Sequence, residues 1–229
     1  MKLSPLTPDH ETDVIALHHW SGRGMVELVD HLPDSGAMLL ERLGEESLAD
    51  EHWRTAVEVC ADLVQQVSVP ACDGLPRVTD MAAELANNLV GHWDRNGRPI
   101  SRDRIDEVRV IVAKYHSDPT NLMVNWDMYP GNIHRGTRQA WIVIDPKPAR
   151  GVPEYGVAPM FWRLIDRIES QKDFNWAFQT LVDRSNLDPV KLQDWTFVRV
   201  VDYWLWAISK GLTEDPLRCS RVLDGLERL

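Results

Sequence analysis

Two aspartates and one asparagine in the segment 124–148 have the types and the spacing that phosphoryl transfer requires. Asp127 and Asn132 are five positions apart on a turn-rich stretch, and Asp145 follows thirteen residues later, after a run rich in β-branched residues. Transfer from ATP needs oxygen ligands for magnesium and a carboxylate that orients the attacking hydroxyl group and accepts its proton. Asn132 and Asp145 are therefore candidate magnesium ligands, and Asp127 is the candidate base.

Each part of this pattern also has a plain structural interpretation. Pro130, Gly131 and Asn132 make a good turn in any protein, and Asp145 followed by Pro146 is an ordinary strand end. An Asp and an Asn five positions apart occur by chance in many proteins. Because the second Asp lies at a kinase-like interval after a β run, the two interpretations are about equally supported.

The remaining sequence predicts a small strand-bearing region followed by a larger helical one. A short helix is predicted over 9–17, and strands over 25–30 and 37–43 form a predicted hairpin around a Pro/Gly turn. The first of the later helices is predicted to follow a capping box of Ser47 and Asp50 and to extend to Val67. Further helices are predicted over 80–93, from 101 onward, and over 159–169, 174–184 and 188–210. The segment 121–150 interrupts them as a short β-like stretch.

Net charge, the N-terminal segment and the cysteine pattern disfavour several classes of function. The 229 residues carry a formal net charge of −10, which disfavours a nucleic-acid partner and would suit a cationic substrate. The first thirteen residues lack the apolar core of a signal peptide, and no apolar stretch has membrane-spanning length, so no membrane association is expected. Three cysteines without a CxxC spacing predict free thiols in the cytoplasm.

The segment 124–148 resembles the catalytic and metal loops of the aminoglycoside phosphotransferase superfamily, within it the streptomycin 6-kinase and hydroxyurea phosphotransferase group. That group reads approximately HGDLHPGN, followed by W-x-x-IDPK, where this chain has NWDMYPGN over 125–132 and WIVIDPK over 141–147. Residues 16–24 match the group's AL-x-x-W-x-G-x-G. Further matches are 36–43, 74–77 and the segment from Asp194-Trp195 to Trp204-x-Trp206. The combination is specific.

This resemblance implies a fold and an activity. The expected fold is α+β, protein-kinase-like and two-lobed, with a truncated β-containing N-lobe and a mainly helical C-lobe. Residues 1–44 would be the remnant of the N-lobe with the interlobe hinge, and 45–229 the helical lobe with the catalytic and metal loops. The implied activity is ATP- and magnesium-dependent phosphorylation of a hydroxyl group on an aminoglycoside-like or other small polar molecule.

The resemblance also assigns roles to single residues. Asp127 matches the catalytic Asp, and Asn132 and Asp145 match the magnesium ligands. Lys2 falls where the group has the lysine that contacts the ATP phosphates, with Asp13 or, second, Glu11 as its partner acid. Backbone groups of the hinge would meet adenine, namely those of Glu41, Arg42 and Leu43.

Three departures from the family pattern favour a different class of function. Asn125 replaces the histidine of HGD, and Gly156 replaces the second Asp of G-D-P-x-Y-D-x-A. Together they predict a loosened catalytic loop and a lower rate, since positioning is much of catalysis. If Lys2 is the phosphate-contacting lysine, two preceding strands and their phosphate-covering loop are expected to be missing from this sequence. Two explanations are open: Met1 is internal to a longer chain, or the chain is a shortened descendant.

Two alternatives to a resistance-type kinase therefore stay open at this point. The first is a catalytically impaired relative that binds a nucleotide or a partner without turnover. The second is a kinase for a metabolite, which shares the chemistry and differs in its acceptor. The sequence names no acceptor-binding residue.

Overall fold

A small antiparallel sheet occupies the beginning of the chain in the computed structural model, which describes residues 2–3 and 8–229. The strands are β1 (Lys2–Leu3), β2 (Leu28–Leu32) and β3 (Ala37–Leu40), in the order β1-β3-β2, and helix α1 (Pro8–Trp20) connects the first two. The register pairs Lys2 with Met38, so the lysine lies beside the strand that leads into residues 41–43. The expectation about Met1 concerns a residue outside the described part.

The predicted hairpin is confirmed with different bounds: the first strand is shifted from 25–30 to Leu28–Leu32, and the second ends at Leu40 instead of Leu43. A short 3-10 helix, Pro33–Ser35, and Gly36 with φ +65° connect β2 to β3. The strand begins at Leu28, not at Met25, because Met25 forms a parallel bridge with Val143 of a later strand. The beginning of the chain is thereby joined to the segment that carries the site.

The middle of the chain is helical and then changes to short strands, as the sequence predicts. Helices α2 (Trp53–Val67), α3 (Val78–Arg95) and α4 (Arg102–Lys114) precede strands β4 (Leu122–Asn125), β5 (Ile133–Arg135), β6 (Trp141–Val143) and β7 (Pro148–Gly151). The pairs are β4 with β7 and β5 with β6, both antiparallel. The predicted capping box is wrong, because Ser47 caps a 3-10 turn and His52 caps α2.

Four helices complete the fold: α5 (Ala158–Leu164), α6 (Gln171–Ser185), α7 (Pro189–Ser209) and α8 (Glu214–Leu226). Gly211, with φ +71°, follows α7 at the predicted stop. Helix α8 has no counterpart among the predicted elements, because Pro216 and Gly225 obscure its helical pattern. Pro216 is tolerated in the first turn, where its missing N–H has no helical partner to lose.

The apolar residues of these elements form one continuous core. Six of the ten tryptophans are buried in it, as their helical spacing indicates: Trp20, Trp53, Trp93, Trp141, Trp162 and Trp195. All three cysteines are free thiols, and burial raises the pKa of Cys60 and Cys219 far above the usual range. No helix in the described part of the chain combines the length and apolar character needed to cross a membrane.

Candidate active site

The β5–β6 hairpin brings Asn132 and Asp145 to the same place. Asn132 directly precedes β5 and Asp145 lies two residues beyond β6, and the register pairs Ile133 with Val143. The Ile144 N–H donates to the Asn132 carbonyl over 2.8 Å. Since an antiparallel pair aligns the start of one strand with the end of the other, thirteen residues of sequence separation become a neighbouring position.

Asn132 is also in contact with Asp127. Its side-chain Nδ2 donates to the Asp127 carbonyl over 3.2 Å and to the Asp127 carboxylate over 3.3 Å. The Asn132 side-chain oxygen accepts no hydrogen bond from the described residues, so it is available to a ligand. The three residues singled out by their spacing therefore form one cluster, with Asn132 at its centre.

Asp145 is held in an unusual conformation and carries an ion pair with Lys2. Its φ of +51° lies in the left-handed region, which Asp adopts more readily than most residues but at some cost in strain. Lys2 Nζ lies 2.7 Å from Asp145 Oδ1 and 3.8 Å from Oδ2 of the buried Asp13. Of the two candidate partner acids, Asp13 lies at the lysine, whereas Glu11 is exposed.

The segment 41–43 presents free backbone groups. The Glu41 N–H donates to the Glu27 carbonyl over 2.9 Å, so it is already engaged. The Glu41 carbonyl and the peptide groups of Arg42 and Leu43 have no backbone partner among the described residues. These are the groups of the segment that a ligand could reach.

One cavity of about 840 Å³ connects these groups. Its volume is within the range of small-molecule sites. Its lining includes Glu41, Arg42 and Leu43 together with Lys2, Asn132 and Asp145. Val26, Leu40 and Ile144 add apolar surface to the same lining. The cavity therefore has apolar surface for a flat ring near the hinge and charged groups for a polar tail.

The loop around Asp127 is supported at both positions that depart from the family pattern. Asn125 is buried, and its side-chain oxygen accepts from the Lys147 N–H over 2.8 Å. The Gly156 carbonyl accepts from the Met128 N–H over 3.2 Å. An amide side chain and a backbone carbonyl therefore connect the loop to its neighbours at the two positions where loosening was predicted.

The surroundings of Asp127 are electrostatically mixed. Burial raises the pKa of the Asp127 carboxyl group above its usual range, and the positive charges of Arg199 and Arg163 oppose that rise. Arg163 also lies over the Tyr129 ring, with 5.0 Å from Cζ to the ring centroid. A carboxylate that binds a proton more readily than an exposed one is suited to accept a proton.

Two arginines at the site were not found from the sequence. Arg138, in the β5–β6 turn, donates to the Gly22 carbonyl, to the Met25 carbonyl over 3.1 Å and to the Glu41 carboxylate over 2.7 Å. Nothing in its local sequence distinguishes it from other surface arginines. Arg199 has a signal, since it is the one charged residue of the apolar run 196–201, TFVRVV.

The donor set fits magnesium better than a softer metal. Asn132 and Asp145 offer an amide and a carboxylate oxygen, which are hard ligands. In the described part of the chain no group of three or more His, Cys, Asp or Glu side chains is placed to hold a metal ion. Magnesium uses few protein ligands and completes its shell with phosphate and water, so two oxygen donors beside Lys2 are sufficient.

Known proteins resemble this chain in sequence along nearly its whole length. Residues 1–211 match the family model described as aminoglycoside/hydroxyurea antibiotic resistance kinase. A streptomycin 6-kinase of Streptomyces griseus is 33% identical over 215 residues, which cover 90% of this chain and 70% of that protein. A hydroxyurea phosphotransferase of Kitasatospora aureofaciens is 31% identical over 233 residues, covering 97% of this chain and 67% of that protein.

Solved structures show that the fold is the expected kinase-like one. The choline kinase of Streptococcus pneumoniae superposes with a TM-score of 0.64 at 13% identity, covering 97% of this chain and 81% of that one. An aminoglycoside phosphotransferase in complex with ADP and hygromycin B superposes with a TM-score of 0.66 at 14% identity, covering 96% and 82%. At such low identity these likenesses concern the fold alone.

Proposed function

We propose that this chain, which belongs to the aminoglycoside/hydroxyurea antibiotic resistance kinase family, transfers the γ-phosphoryl group of ATP to a hydroxyl group of a small polar molecule. It is a small-molecule kinase, and residues 1–44 are its nucleotide-facing lobe and hinge, with 45–229 as its catalytic lobe. The observation that carries the assignment of the site is the position of Asn132, which contacts Asp127 and is bonded through its carbonyl to the strand that leads to Asp145.

Asp127 is the residue that we assign to the acceptor. The hydroxyl oxygen of the acceptor attacks the γ-phosphorus, the bond from that phosphorus to the β,γ-bridging oxygen breaks, and ADP leaves. The hydroxyl proton passes to the Asp127 carboxylate, whose burial favours the protonated form. The Asn132 side-chain NH₂ holds the carboxylate in position throughout.

Asn132 and Asp145 would hold magnesium, and Lys2 would contact the phosphates. Magnesium, when bound, neutralises the phosphate oxygens and so favours attack by the hydroxyl group. Lys2 pairs with Asp145 in this structure, and it can exchange that carboxylate for phosphate oxygens when a nucleotide enters the cavity. The free backbone groups of the segment 41–43 would then face adenine.

The acceptor is of the streptomycin or hydroxyurea class, since the relatives that span most of the chain are a streptomycin 6-kinase and a hydroxyurea phosphotransferase. The net charge of −10 suits a cationic aminocyclitol. ATP as donor and three free thiols fit a protein of the cytoplasm.

The test is turnover of the purified chain with ATP and magnesium, using streptomycin and hydroxyurea as separate acceptors. We expect Asp127→Asn to lower kcat by about 10²- to 10⁴-fold, which is the range of general acid–base catalysis, while ATP binding is retained. Asp183→Asn, at an exposed position of α6, is the matched control and should behave as the unmodified chain.

Two outcomes decide against the proposal. Magnesium-dependent ATP binding without turnover on either acceptor would favour the catalytically impaired relative. Equal turnover of the Asp127→Asn and Asp183→Asn variants would remove Asp127 from the reaction. The support of the loop by Asn125 and Gly156 is the reason that we expect turnover.

A further inference from the structure

Arg199 is a nearly buried cation with an unusual environment. Its side chain projects from α7, and the residue is 8% exposed. Its guanidinium carbon lies 5.0 Å from the centroid of the Trp126 ring and 4.7 Å from that of the Tyr155 ring. Within the described part of the chain its guanidinium group has no carboxylate within 4.0 Å and no hydrogen-bond partner. Because burial of an unpaired charge is costly, its position here calls for an explanation.

One of the two rings belongs to the loop that carries Asp127, and the other belongs to the 3-10 turn Pro153–Gly156, which is bonded to that loop. Trp126 directly precedes Asp127, and the backbone N–H of Trp126 donates to the Lys147 carbonyl over 3.0 Å. Tyr155 directly precedes Gly156, whose carbonyl accepts from the Met128 N–H. Arg199 therefore contacts the residue before Asp127 and the turn that is bonded to the residue after it, through the flat ring faces that a guanidinium prefers.

Helix α7 provides a fixed base for this contact. Trp195 lies one turn before Arg199, is buried, and packs edge-on against Tyr155 at 5.3 Å between ring centroids. Residues four apart lie on the same face of a helix, so Trp195 and Arg199 contact the same neighbour. The Tyr155 ring is consequently held from two positions on one rigid element.

A side-chain support from position 156 is not possible in this packing. A Cβ atom on Gly156 would lie 2.5 Å from the Asn125 carbonyl oxygen and 3.1 Å from a Val124 methyl group. The loop is therefore supported at this position by backbone alone, so any side-chain support must come from another element. Arg199 is placed to give such support. Its positive charge also opposes the rise that burial causes in the pKa of Asp127 and of Asp202, and His92 has a weaker effect of the same sign on the pKa of Asp202.

We propose that Arg199 is a positioning residue of the kinase reaction, which fixes the catalytic loop to α7 by holding Trp126 and Tyr155 against its guanidinium group. This assignment of Arg199 rests on the proposed function, in which Asp127 orients the acceptor. Arg199 itself touches neither nucleotide nor acceptor in this scheme. Its removal should displace Asp127 and leave the nucleotide cavity unchanged.

The first experiment compares Arg199→Met with the unmodified chain in steady-state kinetics. We expect kcat to fall by about 10- to 100-fold, since a displacement of about 1 Å in a catalytic group has effects of that order. KM for ATP and magnesium-dependent ATP binding should stay within about twofold, a change of under 0.5 kcal/mol. Arg199→Lys should recover part of kcat, because an ammonium group retains the attraction to both rings.

The chain offers a matched control at a distance from the loop. Arg54 lies between the rings of Trp53 and Trp176, at 4.6 and 4.5 Å from their centroids, and pairs with Asp173. Arg54→Met removes the same type of contact between α2 and α6. It should lower the unfolding midpoint and leave kcat unchanged, so a general packing defect is separated from an effect on positioning.

A double-mutant cycle tests the coupling of Arg199 to Trp126. We expect Trp126→Ala alone, Arg199→Met alone and the two combined to have similar kcat values, because each disrupts the same contact. Losses that multiply would overturn the inference, and so would an unchanged kcat in Arg199→Met or a parallel loss of ATP binding. If Arg199→Met does not fold, Arg199→Lys and Trp126→Ala carry the same comparison.

Failure of the proposed function would be recognised separately. A chain that turns over neither streptomycin nor hydroxyurea, nor releases phosphate to water, contradicts the kinase assignment whatever Arg199 does. Crystals of Arg199→Met then decide the inference by themselves. A displaced Asp127 with an unchanged β5–β6 hairpin supports it, and an unmoved Asp127 overturns it.

Discussion

The catalytic loop lies between two regions that hold charged groups in different ways. On one side, which we term the hinge face, the charged groups of Lys2, Glu41, Arg138 and Asp145 form direct ion pairs at 2.7 Å. On the other side, which we term the loop-support face, there are buried and half-buried contacts, and no ion pair among the described residues. This face consists of Asn125, Trp126, Tyr155, Gly156 and Arg199.

The difference matches what each region has to do. Ion pairs near solvent are weak and exchange partners readily. In the proposed reaction, Lys2 can therefore leave Asp145 when a nucleotide and magnesium bind. Aromatic and backbone contacts in the interior are not exchanged with water or salt, so they suit the fixed positioning of Asp127. The hinge face is therefore expected to respond to ligands and to ionic strength, and the loop-support face to packing.

The largest effect is expected on the hinge face from Asp145→Asn. The change removes the carboxylate that we assign to magnesium and frees Lys2 from its ion pair. We expect kcat to fall by on the order of 100-fold or more, as for other losses of charge stabilisation at a transferring group. ATP binding should lose its dependence on magnesium, measured by calorimetric titration with and without the metal. Equal magnesium dependence in Asp145→Asn and Asp183→Asn would contradict the assignment.

Gly156→Ala should have the next largest effect and acts on the loop-support face. The added methyl group would lie 2.5 Å from the Asn125 carbonyl oxygen, so backbone must move. We expect a loss of about 1–3 kcal/mol in the free energy of unfolding, typical of overpacking, together with a fall in kcat.

Gly91→Ala is the matched control for that change. Gly91 lies inside α3, and the nearest atom to its added methyl group is the flexible Arg95 guanidinium at 3.2 Å. Replacing an interior helical glycine by alanine should stabilise the chain by about 0.5–1 kcal/mol. Urea denaturation of both variants measures the contrast, and equal stability would mean that position 156 is not closely packed.

Arg138→Met tests whether the hinge face positions the nucleotide. The side chain connects the β5–β6 turn to Gly22, Met25 and Glu41, and its loss would free the segment that faces the cavity. We expect KM for ATP to rise by about 3- to 10-fold, corresponding to about 1 kcal/mol, with kcat little changed. Arg184→Met, which removes an exposed pair with Asp62, should leave KM unchanged. A fall in kcat at constant KM would place Arg138 with the loop-support face.

Glu154→Gln has the smallest expected effect and concerns a second unpaired charge beside the loop-support face. One Glu154 carboxylate oxygen is buried without a hydrogen-bond partner among the described residues, and burial raises the pKa of this group. The unfolded chain then releases the proton at lower pH than the folded chain, so ionisation reduces stability as the pH rises above the ordinary value for Glu. Glu154→Gln should be more stable than the unmodified chain by about 1 kcal/mol at neutral pH.

The pH dependence provides the check on that prediction. The advantage of Glu154→Gln should shrink as the pH is lowered toward the usual pKa of Glu, because the carboxyl group is then protonated in both folded and unfolded chains. Urea midpoints at several pH values measure it. An advantage that is constant with pH would show that the ionised carboxylate is not the cause.

The sequence predicted the elements whose patterns are local. The hairpin of β2 and β3, the β-like segment 121–150 and the long helix ending before Gly211 follow from apolar periodicity and turn residues. Helix α8 was not predicted, because Pro216 and Gly225 conceal its pattern, and the Ser47 capping box was wrong because a 3-10 turn intervenes. Helix α8 packs against α7 and α5, whereas Ser47 forms a bridge with His134 and donates to the Pro130 carbonyl. Local sequence does not contain such distant contacts.

The residue types and spacing of Asp127, Asn132 and Asp145 made phosphoryl transfer a candidate chemistry, because that reaction uses hard oxygen donors and a carboxylate base. The resemblance along the rest of the sequence then favoured it over an ordinary turn. Tertiary structure alone decided how those groups are held. The ion pair of Lys2 with Asp145 spans 143 positions, and the contact of Arg199 with Trp126 joins a helix to a loop more than seventy positions earlier. Contacts of that range form only when the whole chain folds, since they depend on the relative placement of elements and not on any local pattern.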